Sequence, residues 1–290
     1  MFEGVFTALV TPFRDDQVDE NGLRELVERQ ISAGVDGLVP CGSTGESATL
    51  SAEEHHRVVE IIVEAAGGRV AVVAGTGSNN TREAIDFTAR ARAARADGAL
   101  LISPYYNKPT QEGIIAHYAA VAGATAFPLL VYNIPGRTAS NILPTTMARL
   151  AGIDHVVGVK EACGDISQIS EAIALCPDDF TCVAGDDAMT LPLIACGGRG
   201  VISTSSNVAP AEMVALVRAA RHGDFEGARR IHESLLPLFR VLFCETNPIP
   251  VKTAVALQCG IDDALRLPLT PLTEANRERL TVTMKEQGLL

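Results

Sequence analysis

The chain has 290 residues, 47% of them hydrophobic and 20% charged, enough for one large packed domain with an appendage or for two small ones. A net charge of −11 leaves no broad basic face for nucleic acid or an anionic membrane, so an anionic small substrate needs a local positive group. No stretch approaches about 18 uninterrupted apolar residues, and Met1-Phe2-Glu3-Gly4-Val5 has neither the basic nor the apolar region of a secretory signal.

Short apolar runs recur at 5–10, 37–40, 70–74, 99–103, 129–132, 156–160, 180–184 and 200–203, and each reads as a strand. Segments of helical period follow them near 20–33, 51–66, 81–96, 111–124, 144–151, 165–175, 187–196 and 209–222. Capping signals stand at the starts of several: Ser51 with Glu54 three residues on, Thr81 ahead of Glu83-Ala84, and Thr110 ahead of Gln111-Glu112. Strands apolar on both faces, alternating with helices eight times, predict a closed α/β TIM barrel, (β/α)8. No Gly-x-Gly-x-x-Gly follows the first strand and no P-loop occurs, which argues against a nucleotide-binding open sheet. The strand pattern stops near residue 223. Segments 224–243, 249–259 and 272–287 read as helices, so a catalytic barrel over 1–223 and a small helical domain over 224–290 are expected.

Seven cysteines (Cys41, Cys163, Cys176, Cys182, Cys196, Cys244 and Cys259) form an odd set without a C-x-x-C pair. They read as reduced, mostly buried thiols, and a cytoplasmic location is expected. His55 and His56 lack a partner at metal spacing and read as surface or interface residues, so no catalytic metal and no cofactor is expected.

The residue that stands out is Lys160, at the end of Val156-Val157-Gly158-Val159 and followed by Glu161. Only four lysines occur against twenty arginines, so lysine is not the default surface cation here. Its ammonium either snorkels to solvent or pairs with Glu161, or it loses solvation and becomes a nucleophile. Lowering its pKa from about 10.4 to about 7–8 costs on the order of 4 kcal/mol and yields an amine able to attack a carbonyl. The other strand ends favour the nucleophile. Active sites of such barrels lie in the loops after the strands, and those loops hold Gly42-Ser43-Thr44-Gly45-Glu46, Gly75-Thr76-Gly77-Ser78-Asn79, Pro104-Tyr105-Tyr106-Asn107, Tyr132 through Thr138, and Gly185-Asp186. Backbone N–H groups and hydroxyls near Ser43 and Thr44 suit a carboxylate. Arg137 suits a bidentate carboxylate clamp. Tyr105 and Tyr106 fit either packing or a contact between subunits.

At these residues the chain resembles the dihydrodipicolinate synthase family of the pyruvate-dependent class I aldolases. The likeness runs nearly end to end through Gly42 to Thr49, Ala74-Gly75-Thr76-Gly77, Pro104 to Pro109, Tyr132-Asn133-Ile134-Pro135-Gly136-Arg137-Thr138, Gly158-Val159-Lys160-Glu161-Ala162 and Asn247-Pro248-Ile249-Pro250-Val251-Lys252. The resemblance implies a lyase of the diaminopimelate route to lysine, in which Lys160 forms a Schiff base with pyruvate and its enamine attacks L-aspartate 4-semialdehyde. It also implies that Ser43 and Thr44 amides hold the pyruvate carboxylate and that Tyr132, Thr44 and Tyr106 relay protons, with Tyr106 donated by a neighbouring subunit. Arg137 then takes the semialdehyde carboxylate, and the Ile202 carbonyl fixes geometry around the lysine. A homotetramer built as a dimer of dimers is implied. So is a lysine-effector site at Ser47, Ala48, His55, Asn79, Glu83 and Tyr105. Three positions depart from the family pattern: Ala52 where some lysine-sensitive relatives have histidine, Ser43 where threonine is common, and Thr246 where proline often precedes Asn247. Sugar-acid lyases and 2-keto-3-deoxy-acid aldolases of the same superfamily share the lysine but usually lack the arginine, and they are the competing reading.

Overall fold

The structure, a computed structural model, describes all 290 residues. Eight strands form its centre: β1 (Gly4–Ala8), β2 (Gly37–Val39), β3 (Ala71–Gly75), β4 (Gly98–Ile102), β5 (Leu129–Asn133), β6 (Val156–Glu161), β7 (Thr181–Ala184) and β8 (Gly200–Ser203). All neighbours are parallel, and β1 pairs with both β2 and β8, which closes the sheet into a barrel. The expected (β/α)8 architecture is therefore present, followed by helices Phe225–Val241, Ile249–Cys259 and Glu274–Glu286. No helix is long and apolar enough to cross a membrane.

The double-sided hydrophobicity of the strands is explained by two cores. Phe6, Val39, Leu100, Leu130, Val183 and Ile202 fill the barrel interior. Leu129, Val131 and Val159 face outward and join the larger layer beneath the helices. The period of two along a strand thus decides which side chains reach the interior. On β6 it sends Val159 outward and turns Lys160 into the barrel.

Local chemistry explains most helix starts. Ser51 and Glu54 form a reciprocal capping box, a type of contact that stabilises a helix by about 1 kcal/mol. The Thr110 hydroxyl accepts from the Gly113 N–H at 3.2 Å. Thr81 does not cap its helix: Asn80 does, accepting from the Arg82 N–H at 3.1 Å. The Thr81 hydroxyl meets the His117 ring nitrogen Nδ1 at 3.0 Å instead. The first strand is also shorter than the apolar run, because the Val10 N–H turns to the Asn207 side chain at 3.2 Å. Two elements had no sequence signal of sufficient length, a hairpin of Phe13–Arg14 with Gln17–Val18 and a one-turn helix Pro135–Thr138.

The helices after the barrel are bound to it by buried charge. Lys252 donates to Glu46 Oε1 at 2.6 Å with both side chains almost fully buried, and its ammonium lies 4.0 Å from the Phe13 ring centre. Arg266 grips both carboxylate oxygens of Glu54 and donates to the Thr49 carbonyl at 3.1 Å. Both contacts hold the segment that follows β2.

Candidate active site

Lys160 and Tyr132 are register partners on neighbouring strands, so both project inward at the same level. The lysine is 6% exposed, and its Nζ lies 4.3 Å from the centre of the Tyr132 ring. Its side chain fits because Gly185 ends β7 beside it: a Cβ there would stand 2.9 Å from Lys160 Cε. Glu161, one residue on, faces the opposite side. It accepts from the Asn133 amide at 3.0 Å and from the Cys163 N–H at 2.9 Å, so Lys160 has no ion pair with it.

Burial in this apolar shaft pulls the Lys160 ammonium down to about 8, opposed by the charge of Asp187 and assisted by that of Arg137. Near neutrality a fraction of about one tenth is therefore free amine. Tyr132 moves the other way. Burial pushes its phenol up to about 12, with Arg137 and a hydrogen bond to Ser43 lowering it and Asp186 raising it. The phenol thus keeps its proton at working pH and can donate it.

The loop after β2 supplies the next layer. Carbonyls of Gly42 and Ser43 are used in its turns, whereas the Ser43 and Thr44 N–H groups have no acceptor within the protein. Two such free amides in one turn can receive a carboxylate. Thr44 is buried, yet its hydroxyl does not bond Tyr132. It accepts from the Asn247 amide at 3.0 Å and meets the Thr204 hydroxyl at 3.4 Å. Arg137 extends from the one-turn helix after β5, is exposed, and donates to the Asn247 carbonyl at 3.0 Å. Ile202 sits inside the barrel, 2% exposed, in the apolar cluster that includes Tyr132.

Tyr106 lies apart from these groups. It is 88% exposed, with a backbone φ of 70° that throws the side chain outward. Within one chain the trio of Tyr132, Thr44 and Tyr106 is therefore not assembled. Tyr105 stays closer in, and its carbonyl accepts from the Asn79 amide at 3.1 Å.

One cavity of roughly 460 Å³ joins Ser43, Tyr132, Arg137 and Asn247 to Ser47, Ala48, His55, Glu83 and Tyr105. The reading of His55 as a surface or interface side chain is corrected within this chain. The ring is 5% exposed, bonded through Nε2 to the Gly75 carbonyl at 2.8 Å and stacked on Phe87 at 4.5 Å. Its position on the inward face of helix Ala52–Ala66 explains this. His56, the next residue, points to the other side and pairs with Glu60 at 3.2 Å.

Two residues escaped the sequence reading. Asp187 is 1% exposed, near enough to act on the lysine by charge, and three groups donate to it: the Ser203 hydroxyl, the Ser205 hydroxyl and the Ser205 N–H. Asn247 comes from beyond the barrel. Both stood in quoted or adjacent motifs, but neither had a sequence neighbour that revealed its partner. No group of three or more His, Cys, Asp or Glu side chains converges as a metal site would require.

Comparison with known proteins shows the family and the fold. The family model described as the dihydrodipicolinate synthetase family matches residues 1–287. A 4-hydroxy-tetrahydrodipicolinate synthase of Nitratidesulfovibrio vulgaris (strain Hildenborough) is 56% identical over 290 residues, covering 100% of this chain and 99% of that protein. The dihydrodipicolinate synthase of Acinetobacter baumannii, solved as a complex with pyruvate, superposes with a TM-score of 0.98 at 42% identity over 100% of both chains. DHDPS from Cyanidioschyzon merolae, solved with lysine bound, superposes with a TM-score of 0.97 at 39% identity, over 100% of this chain and 99% of that one. The chain belongs to the dihydrodipicolinate synthetase family.

Proposed function

We propose that this chain condenses pyruvate with L-aspartate 4-semialdehyde through an imine on Lys160, the reaction of a 4-hydroxy-tetrahydrodipicolinate synthase. The observation that carries the mechanism is a buried amine whose ammonium is lowered to about 8, one strand away from a protonated phenol, with two free backbone amides in the loop after β2. The Lys160 amine attacks the pyruvate carbonyl carbon, and loss of water leaves a protonated imine that draws electrons from the methyl group. Removal of a methyl proton gives the enamine, whose carbon attacks the semialdehyde aldehyde. The substrate's own amino group then displaces Lys160 by transimination, closing the ring and freeing the lysine.

The other roles follow from position. Ser43 and Thr44 amides receive the pyruvate carboxylate, and Tyr132 supplies and recovers protons at the imine. Arg137, exposed at the rim, receives the semialdehyde carboxylate. The Ile202 carbonyl fixes the geometry around Lys160, from a residue buried in the barrel interior. Thr44 and Tyr106 complete the proton path, the latter from a second subunit. Support for that last role is the 88% exposure of Tyr106, a large aromatic side chain left uncovered on one chain. A homotetramer built as a dimer of dimers is the assembly we infer. The division into a barrel over 1–223 and a helical unit over 224–290 belongs to the same proposal, with Asn247 of the second unit reaching into the first. Seven unpaired cysteines fit a reducing, cytoplasmic setting. Lysine is the effector we assign to the side of the cavity formed by Ser47, Ala48, His55, Glu83 and Tyr105, with Asn79 behind Tyr105.

Borohydride reduction in the presence of pyruvate tests the imine: mass spectrometry should find the adduct on the peptide carrying Lys160, and an unmodified Lys160 would rule the chemistry out. Arg137→Ala should leave that adduct intact while raising the semialdehyde KM roughly 10- to 100-fold, the range of a lost charged hydrogen bond. An unchanged KM would remove Arg137 from substrate recognition.

A further inference from the structure

Asn247 makes two contacts that no local motif explains. Its side-chain Nδ2 donates to Thr44 Oγ1 at 3.0 Å across 203 residues of sequence, and its main-chain carbonyl accepts from Arg137 Nη2 at 3.0 Å. The residue is 7% exposed, and its Oδ1 is buried without a partner. A buried amide oxygen without a hydrogen bond is costly, so the orientation of this side chain is held against a penalty.

We propose that Asn247 is a positioning residue for the condensation, fixing through its side-chain N–H the direction in which the Thr44 hydroxyl carries its proton. This rests on the reading above in which Thr44 lies on the proton path. A hydroxyl has one hydrogen and two lone pairs. Once Nδ2 occupies a lone pair, the hydroxyl hydrogen must point away from Asn247. The only other protein oxygen recorded on Thr44 Oγ1 is Thr204 Oγ1 at 3.4 Å, a long contact that holds it weakly. The proton is thereby kept off Asn247, which on the proposed path leaves it for transfer towards Tyr132 and a keto acid. The second contact is separable from the first, because Arg137 is tied to a backbone carbonyl that persists whatever side chain stands at 247.

That separation sets the test. Asn247→Ala should lower kcat about 10- to 100-fold, the size of a misaligned proton donor, while the semialdehyde KM stays within about twofold because the Arg137 tether remains. Asn247→Asp should be worse than alanine, since a carboxylate only accepts and would turn the Thr44 hydrogen toward itself. In a Thr44→Val background, Asn247→Ala should cost kcat less than about twofold more, the signature of two residues acting as one unit. A merely structural role predicts instead additive losses in kcat that track a fall in Tm. Should the alanine variant fail to fold, Asn247→Ser carries the same comparison with a side chain too short to reach Thr44. Additive kcat losses, a KM that rises as kcat falls, or an aspartate variant with near-normal kcat would each overturn the proposal. Pyruvate trapping on Lys160 is run alongside: an adduct in every variant leaves the imine reading standing whichever way the cycle falls, and its absence in the unaltered protein sinks both.

Discussion

Two of the four lysines are buried, and their surroundings are opposite. Lys252 is 0% exposed, and Glu46 faces it at 2.6 Å. Lys160 is 6% exposed and has an aromatic ring, a glycine and apolar strand residues around it, with no carboxylate in salt-bridge reach. Burial lowers both ammonium groups, but Glu46 raises Lys252 again by charge and by hydrogen bond. For Lys160 the opposing charge is Asp187, whose own oxygens are taken up by Ser203 and Ser205. The same side chain is thus a fastener in one place and, on the proposed reading, a reagent in the other. Burial does not make a nucleophile; burial without a bonded counter-ion does.

The comparison can be broken most sharply at Lys160 itself. Lys160→Met should reduce condensation to the uncatalysed background, measured by coupled assay, while circular dichroism shows the barrel retained. Lys252→Met should do the converse, costing about 3–5 kcal/mol of stability by leaving the Glu46 carboxylate buried alone. Pairing it with Glu46→Leu should recover most of that loss in urea denaturation, because the unpaired charge is then gone. If the single and double variants were equally unstable, the ion pair would not be what fastens the helical unit.

A smaller effect concerns stability and pH. The folded state holds the Lys160 ammonium at about 8 against an ordinary value of 10.5, so the unfolded chain binds more protons between those limits. Stability therefore rises with pH through that window, and the penalty is fully present below about pH 8. Lys160→Met should be more stable than the unaltered protein by about 3 kcal/mol at neutral pH, the gap closing as pH approaches 10.5. A constant gap across that range would contradict the lowered ammonium.

The smallest effects are shifts in the rate profile. The pyruvate kcat/KM should climb with pH and level off above about 8 as the amine loses its proton. Arg137 lowers the lysine and Asp187 raises it, so Arg137→Ala should move the acid limb upward and Asp187→Asn downward. Shifts of the same sign in both variants would exclude this charge arrangement.

Much of the architecture was legible in the chain because it rests on short-range signals. Apolar runs of strand length, capping residues such as Ser51 and Thr110, and glycine loops after the strands located eight strands and their active ends. Lys160, Tyr132, Ser43 and Arg137 became candidates the same way, since a barrel presents its strand ends at one mouth. The misreadings were equally local in origin. Thr81 and Asn80 are adjacent capping residues, and composition alone does not choose between them. His55 carries no mark separating it from His56, because helical phase against β3 and Phe87 decides which ring is buried.

What the amino-acid sequence determined by itself was the sequence of elements and the identity of the one amine placed at a barrel strand end. Tertiary structure decided what surrounds that amine. Register set Tyr132 beside Lys160, the absence of a side chain at Gly185 left it room, and Asp187 supplied an opposing charge. The loop bearing Thr44 is governed from residues 247, 252 and 266, some two hundred positions away. Desolvation and hydrogen-bond direction depend on what lies within a few ångströms in space, and only the closed fold brings those groups together.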